Sequence, residues 1–153
     1  MTVAGTVVVG ADGSPESRAA IEFALLDAER RGARVRVVAA VPLPESAMGL
    51  YGMPAWPSHQ EIAEHAQKSA QQELDGVLQA HPEMARVPVV VEATVGAPAR
   101  VLVDATEGAD VLVLGHRGRG AVTSALLGSV GLHCVLHAHC PVTIVRPSGV
   151  DAR

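Results

Sequence analysis

The sequence predicts one α/β domain, residues 1–153, with a mainly parallel five-stranded sheet and helices on both faces. Short runs of β-branched residues alternate with segments of helical periodicity, and parallel strands separated by helices need crossover connections. The length of 153 residues suits a single hydrophobic core. Hydrophobic residues make up 48% of the chain, yet only Phe23, Tyr51 and Trp56 are aromatic, so we expect an aliphatic core with close helix–sheet packing.

Five short segments have the composition of buried strands. Each is rich in β-branched residues and is bounded by turn residues. The predicted strands are Thr6–Gly10, Val35–Val41, Val87–Thr94, Val111–Leu114 and Val142–Val145.

The first helix has clear start and stop signals. Ser14 followed by Pro15 predicts an N-cap and a first helical residue, and Gly32 predicts the end of the helix. A stripe of small residues predicts that this helix lies close to the sheet; it consists of Ala20, Ala24 and Ala28.

The remaining helices follow from similar signals. The segment 58–61 fits a capping box, and apolar residues recur every four positions after it, at Ile62, Ala66, Ala70 and Leu74. We expect this second helix to end near His81–Pro82. A third helix follows Pro98 and runs toward Glu107–Gly108, and a fourth spans about 128–138.

Charge and composition exclude several classes of partner. The net charge is −4, the pI is near 5.9 and the basic residues are scattered, so we expect no nucleic-acid partner. No apolar run approaches the roughly 20 residues that cross a bilayer. Met1–Gly5 lacks the basic start of a secretory signal, so we expect a cytoplasmic protein without membrane insertion. The two cysteines make no disulfide framework, and we expect reduced thiols.

The segment 42–57 contains four prolines and no usable periodicity. It is interpreted as a surface loop between the second strand and the second helix. Two alternatives stay open: a plain linker, or a lid or partner contact through Tyr51 and Trp56.

A glycine-rich run, residues 115–130, follows the fourth strand directly. Glycines at this place let backbone N–H groups approach an anion without a Cβ in the way. The helix that opens at Gly128–Ser129 adds N-terminal amides and a dipole that favour negative charge. The run therefore predicts a phosphate site, and with it a nucleotide ligand.

The spacing Gly115, two residues, Gly118, nine residues, Gly128 and then Ser129 resembles the ATP-binding signature of the universal stress protein family. The resemblance extends to the opening segment 7–14 and to the closing segment 139–145. It implies a doubly wound, Rossmann-like sheet of the adenine nucleotide alpha hydrolase type with strand order 3-2-1-4-5. In that order strands 1 and 4 are neighbours, so the residues that follow them meet in one crevice.

The predicted nucleotide-binding residues are Ala11, Asp12, Val41, Leu114, Gly115, Arg117, Gly118, Gly128, Ser129 and Val130. The resemblance implies that Ala11 lines the pocket and that the Val41 backbone binds adenine. The backbone amides in the glycine run are the predicted phosphate donors, and the Ser129 hydroxyl is expected both to bind phosphate and to cap its helix.

Two charged positions keep alternative interpretations. Asp12 could hold Mg²⁺ through the nucleotide, orient ribose or phosphate, or simply cap the first helix. Arg117 and Arg119 could pair with phosphate oxygens or be solvated surface charges.

Other chemistries fit the sequence less well. Lys68 is the only lysine and lies in the second helix, so the lysine clamp of P-loop enzymes cannot form. A group of metal-ligand residue types has none of the common zinc spacings; its members are His133, Cys134, His137, His139 and Cys140. Cys134 is predicted to be a core residue, and no G-x-S-x-G elbow is present.

Three functions are therefore considered. The resemblance favours an ATP-binding regulatory or stress-response module, with Mg²⁺ as a possible companion of ATP. The alternatives are a slow Mg-dependent ATPase that uses the same site, and a nucleotide-independent dimeric interaction protein. Family members commonly dimerise through the last strand, so a homodimer through Val142–Val145, an apolar sheet edge, is also expected.

Overall fold

The structure is a computed structural model that describes residues 4–43, 58–117 and 127–147. Five parallel strands form one sheet in the order β3-β2-β1-β4-β5, which confirms the predicted topology. The strands are β1 Thr6–Gly10, β2 Arg34–Val41, β3 Val89–Val95, β4 Val111–Gly115 and β5 Val142–Val145. The central pair is β1 with β4, in which Val7 lies opposite Val111. The Thr6 N–H also donates to the Asp110 carboxylate at 2.7 Å.

Helices cover both faces of the sheet. They are α1 Pro15–Arg31, α2 His59–Ala80, α3 Pro98–Ala105 and α4 Ser129–His137. On one face, α1 and α2 pack against Val7, Val9 and the inward side chains of β2. On the other face, α3 and α4 contribute Leu102 and Cys134 to a second cluster around Val8 and Leu112. Reversal of the winding direction between β3 and β4 places the crossovers on opposite faces.

The predicted helix termini are confirmed where their signals were strong. Ser14 Oγ accepts the Ser17 N–H at 3.1 Å, and Gly32 ends α1 with φ +68. In α2 the capping box is complete, since Ser58 and Glu61 exchange side-chain and backbone hydrogen bonds at 2.9 and 3.2 Å. The predicted alanine stripe of α1 is fully buried, as close helix–sheet packing requires.

Two predicted boundaries were wrong for local reasons. Strand β3 begins at Val89 rather than Val87, because a short 3-10 helix, Pro82–Arg86, precedes it and Val87 donates its N–H back to Met84 at 3.1 Å. Helix α3 stops at Ala105. Its Thr106 hydroxyl donates to the Val103 carbonyl at 2.5 Å, and the chain then turns through Gly108, whose φ is +76.

Candidate functional site

A cavity of about 720 Å³ lies at the carboxyl ends of β1 and β4, where the winding of the sheet reverses. Every predicted binding residue that the structure describes lines it. These are Ala11, Asp12, Val41, Leu114, Gly115, Arg117, Gly128, Ser129 and Val130. Gly118 and Arg119 lie outside the described residues, as do Tyr51 and Trp56. The structure thus brings together two segments that are about a hundred positions apart in the chain.

The turn after β1 forms one wall of the cavity. Asp12 Oδ1 accepts both the Ser14 N–H at 2.9 Å and the Ser14 hydroxyl at 2.5 Å. The Asp12 N–H in turn donates to Ser17 Oγ at 3.2 Å. Ser14 is therefore the residue that caps α1. Asp12, which is exposed, stabilises the turn that places Ser14 at the start of the helix. A carboxylate thereby stands at the rim of the cavity in a defined orientation.

The start of α4 forms the opposite wall. Gly128 occupies the N-cap position and Ser129 the first helical position, and within the described residues no side-chain hydrogen bond caps α4, so the predicted capping role of Ser129 was wrong. The Gly128 N–H donates to the His116 carbonyl at 2.9 Å. The first helical hydrogen bond runs from Leu132 to Gly128. The N–H groups of Ser129 and Val130 belong to the first turn, where a helix supplies no carbonyl partner of its own.

Position 115 has no room for a side chain, because the first turn of α1 lies against it. A Cβ atom placed on it would lie 2.6 Å from the Glu16 Cβ and 3.0 Å from the Glu16 carbonyl oxygen. The end of β4 and the first turn of α1 are thus in backbone contact. This close approach fixes the position of the first turn of α1, and with it the Asp12 turn, against the end of β4.

Val41 lines the cavity at the end of β2, but its backbone belongs to the sheet. Its carbonyl accepts the Gly96 N–H at 2.9 Å in the ladder with β3. On the other side of the strand, the Val38 carbonyl accepts the Ala11 N–H at 2.9 Å. Backbone groups alternate between the two sides of a parallel strand. Those of Ala40 therefore face the crevice beyond the end of β1.

Glu73 is a cavity residue that sequence reasoning missed. It is only 6% exposed, its Oε2 accepts the Gly13 N–H at 3.2 Å, and its Oε1 has no hydrogen-bond partner among the described residues. Burial, aided by nearby Asp12, raises its pKa above the ordinary glutamate value; hydrogen bonds from Ser17 and Gly13 and the charge of Arg18 oppose this shift. A usable signal existed, since position 73 falls beside the apolar stripe of α2.

His116 is a second residue that sequence reasoning missed. Its ring is buried, with 8% of the residue exposed, and its Nε2 accepts the Nε–H of Arg117 at 3.0 Å. The pKa of His116 is lowered, first by burial and then by the charges of Arg117 and Arg146, while Glu16 opposes the shift. The ring is therefore neutral at physiological pH.

The histidines and cysteines of the C-terminal region divide between the core and the surface: Cys134 is buried, and His133 and His137 are exposed. Cys134 is fully buried, as predicted, and burial raises the pKa of its thiol to about 11. The ring centroids of His133 and His137 lie 4.4 Å apart with the rings tilted by 45°, on the exposed side of α4. Across residues 4–43, 58–117 and 127–147, no three metal-ligand side chains lie close enough to hold an ion.

Comparisons with known proteins agree with this architecture. The family model for the universal stress protein family matches residues 4–146. Universal stress protein Rv1996 of Mycobacterium tuberculosis is 36% identical over 157 aligned positions, which cover 96% of this chain and 50% of the relative. The chain thus spans about half the length of the curated relatives that it matches.

Solved structures show the same fold. Universal stress protein UspA from Lactobacillus plantarum superposes with a TM-score of 0.69 at 23% identity, covering 95% of this chain and 100% of the other. A universal stress protein crystallised in complex with cAMP has a TM-score of 0.64 at 25% identity, covering 94% and 98%.

No helix within the described residues is both long and apolar enough to cross a membrane.

The matched family model extends over nearly all of the chain, and the strand order and the cavity between β1 and β4 fit it. The chain belongs to the universal stress protein family.

Proposed function

We propose that this protein is an adenine nucleotide-binding module, with ATP as its ligand, that acts in regulation or stress response. The observation that carries the proposal is the meeting of the Asp12 turn and the first turn of α4 in one cavity at the switch point of the sheet. The relative that was crystallised with cAMP supports the choice of an adenine nucleotide.

Phosphate is assigned to the α4 side of the cavity. The N–H groups of Ser129 and Val130 lie in the first turn of a helix, where the helix dipole also favours an anion. Gly128 is a weaker donor candidate, because its N–H already donates to the His116 carbonyl. The adenine is assigned to the apolar end of the cavity near Val41, where the Ala40 backbone supplies the polar groups.

Asp12 is the residue that we assign to Mg²⁺. Mg²⁺ prefers carboxylate oxygens, keeps several waters and joins protein to phosphate through one or two carboxylates. An exposed carboxylate held by Ser14 at the rim of the cavity fits that requirement. When bound with nucleotide, the ion would neutralise phosphate charge, and Asp12 would orient it.

The first test is mass analysis of the denatured, freshly purified protein, followed by calorimetric titration of stripped protein with ATP, AMP and cAMP, with and without Mg²⁺. We expect co-purified ATP or micromolar affinity for it. A folded protein that binds none of these nucleotides would contradict the proposal and favour a nucleotide-independent interaction protein. Phosphate release measured on the same samples tests the slow ATPase alternative.

A pair of substitutions tests the placement of phosphate. Ser129→Pro removes one N–H at the first helical position, which tolerates proline. Ser129→Ala is the matched control, since it removes the hydroxyl but keeps the amide. We expect Ser129→Pro to weaken ATP binding about tenfold, the equivalent of one charge-assisted hydrogen bond. Equal affinity of the two variants would place phosphate elsewhere.

We also propose that two copies associate through β5. This strand is an edge of the sheet and pairs only with β4 among the described strands. The Pro141 and Val145 carbonyls accept N–H groups from the β4 side, so alternation turns the backbone groups of Ile144 outward. We expect Ile144→Lys to convert a dimer into a monomer in light scattering. Because the Ile144 side chain also packs against the Val8 and Leu112 cluster, circular dichroism must first show that the variant is folded. A folded variant that stays dimeric at micromolar concentration would exclude this interface.

A further inference from the structure

The pair His116 and Arg117 lies where β4 leaves the sheet and enters the cavity wall. Both residues line the cavity. Arg117 donates its Nε–H to the Nε2 atom of His116 at 3.0 Å. The two residues are adjacent in the chain, so the contact fixes the direction in which the arginine leaves the backbone.

The backbone of His116 is anchored to two other elements. Its N–H donates to the Val145 carbonyl of β5 at 3.1 Å, and its carbonyl accepts the N–H of Gly128, the N-cap of α4, at 2.9 Å. His116 as a whole residue is only 8% exposed. Arg117 is therefore held by a fixed group, whereas an ordinary surface arginine samples many rotamers.

The chemistry of the contact keeps the arginine fully charged. Because Nε2 accepts a hydrogen bond, the ring is uncharged and carries its proton on Nδ1. A neutral acceptor orients a guanidinium without cancelling its charge. The Nδ1 atom is buried and has no hydrogen-bond partner among the described residues, so the Arg117 contact at Nε2 is the hydrogen bond that the ring makes within them.

We propose that His116 positions the guanidinium of Arg117 to bind the phosphate groups of the nucleotide in this cavity. This inference rests on the proposed function and deepens it: Arg117 becomes a phosphate-binding residue, and His116 is its positioning residue. Guanidinium and phosphate form paired, charge-assisted hydrogen bonds, which need the planar group to be presented in a fixed orientation. The contact therefore increases the affinity for a nucleotide with several phosphates and leaves the affinity for the nucleoside unchanged.

The test is a double-mutant cycle on the full chain, read by calorimetric titration with ATP and with adenosine. Arg117→Met removes the charge and keeps most of the aliphatic stem, and His116→Phe keeps a ring without its nitrogens. We expect each single change to weaken ATP binding about tenfold, with little effect on adenosine. In the Arg117→Met background, His116→Phe should have no further effect, because the two changes remove one and the same interaction.

Two further variants separate positioning from structure. His116→Gln keeps an acceptor on the side chain, and we expect it to recover most of the ATP affinity lost in His116→Phe. Arg30→Met, at an exposed position near the end of α1, is the matched charge control and should leave ATP binding unchanged.

Three results would overturn the inference. These are an unchanged ATP affinity in Arg117→Met, additive effects of the two single changes, or equal losses for ATP and adenosine. If His116→Phe does not fold, the comparison of Arg117→Met with wild type still decides the role of Arg117, and His116→Gln that of the ring. Wild-type protein that binds no adenine nucleotide would instead refute the proposed function itself, and the inference with it.

Discussion

Gly115→Ala is expected to lower the free energy of unfolding by about 2 kcal/mol, which corresponds to a fall in Tm of about 6 °C. The added methyl group would meet the Glu16 Cβ at 2.6 Å and the Glu16 carbonyl carbon at 2.9 Å. These are not the ends of flexible side chains, so the first turn of α1 must move away from β4. Thermal unfolding followed by circular dichroism measures the loss.

The same substitution should also weaken ATP binding by about tenfold, a cost of roughly 1.4 kcal/mol in binding. Displacement of α1 moves the Asp12–Ser14 turn relative to the end of β4, and that wall of the cavity is then misplaced. Gly76→Ala is the matched control. In α2 the new Cβ would make only ordinary contact with Arg18, at 3.6 Å, so we expect it to stabilise the protein by about 0.5–1 kcal/mol. A Gly115→Ala variant as stable as wild type would contradict the close contact.

Glu73→Gln is expected to raise the free energy of unfolding by about 2 kcal/mol at pH 8, or Tm by about 6 °C, because it removes a poorly compensated buried charge. The amide oxygen of glutamine can still accept the Gly13 N–H that Glu73 Oε2 accepts at 3.2 Å. What disappears is the cost of keeping a carboxylate away from water beside Asp12.

The effect of Glu73→Gln should depend on pH with a defined sign. The folded-state pKa of Glu73 is raised, so the folded protein binds this proton more tightly than the unfolded chain does. That contribution to wild-type stability is complete below the unfolded pKa and is lost as the pH rises through the folded pKa. The two proteins should therefore be similarly stable near pH 4 and diverge toward pH 8.

Glu64→Gln, at an exposed position of the same helix, should change neither Tm nor its pH dependence. A Glu73→Gln variant that is equally displaced from wild type at pH 4 and pH 8 would show that its effect comes from packing and not from charge.

Local signals predicted most of the fold because each acts within a few residues. The cap at Ser14, the capping box at Ser58 and the left-handed Gly32 are satisfied by neighbours in the chain, and all three were predicted. The strand order came from family resemblance and not from periodicity. The 3-10 helix at 82–86 was missed because it has no period long enough to recognise, and it delayed the start of β3 by two residues.

The cavity was predictable in outline, since parallel strands end at one edge of a sheet. The charged residues inside the cavity were harder to predict from the sequence. The periodicity of α2 indicates that position 73 is buried, but it does not identify the partner of Glu73, the Gly13 N–H, which lies 60 residues away in sequence. Gly115 was assigned to phosphate binding from its spacing, yet the structure gives it a second reason to be glycine, the backbone of Glu16. Local spacing does not reveal which distant neighbour excludes a side chain.

Because β1 pairs with β4, the centre of the sheet cannot be completed until most of the chain has been synthesised. The Thr6 N–H bonds to an aspartate 104 residues later, so the innermost strand waits for more than a hundred further codons before its second neighbour exists. At translation rates of about 5–20 residues per second, that delay is several seconds or more. During this time the edge of β1 that will pair with β4 has no partner strand. Pairing between strands about a hundred residues apart in sequence is also intrinsically slow. The same strand, β4, that ends this exposure also completes the sheet edge at which the ligand cavity lies.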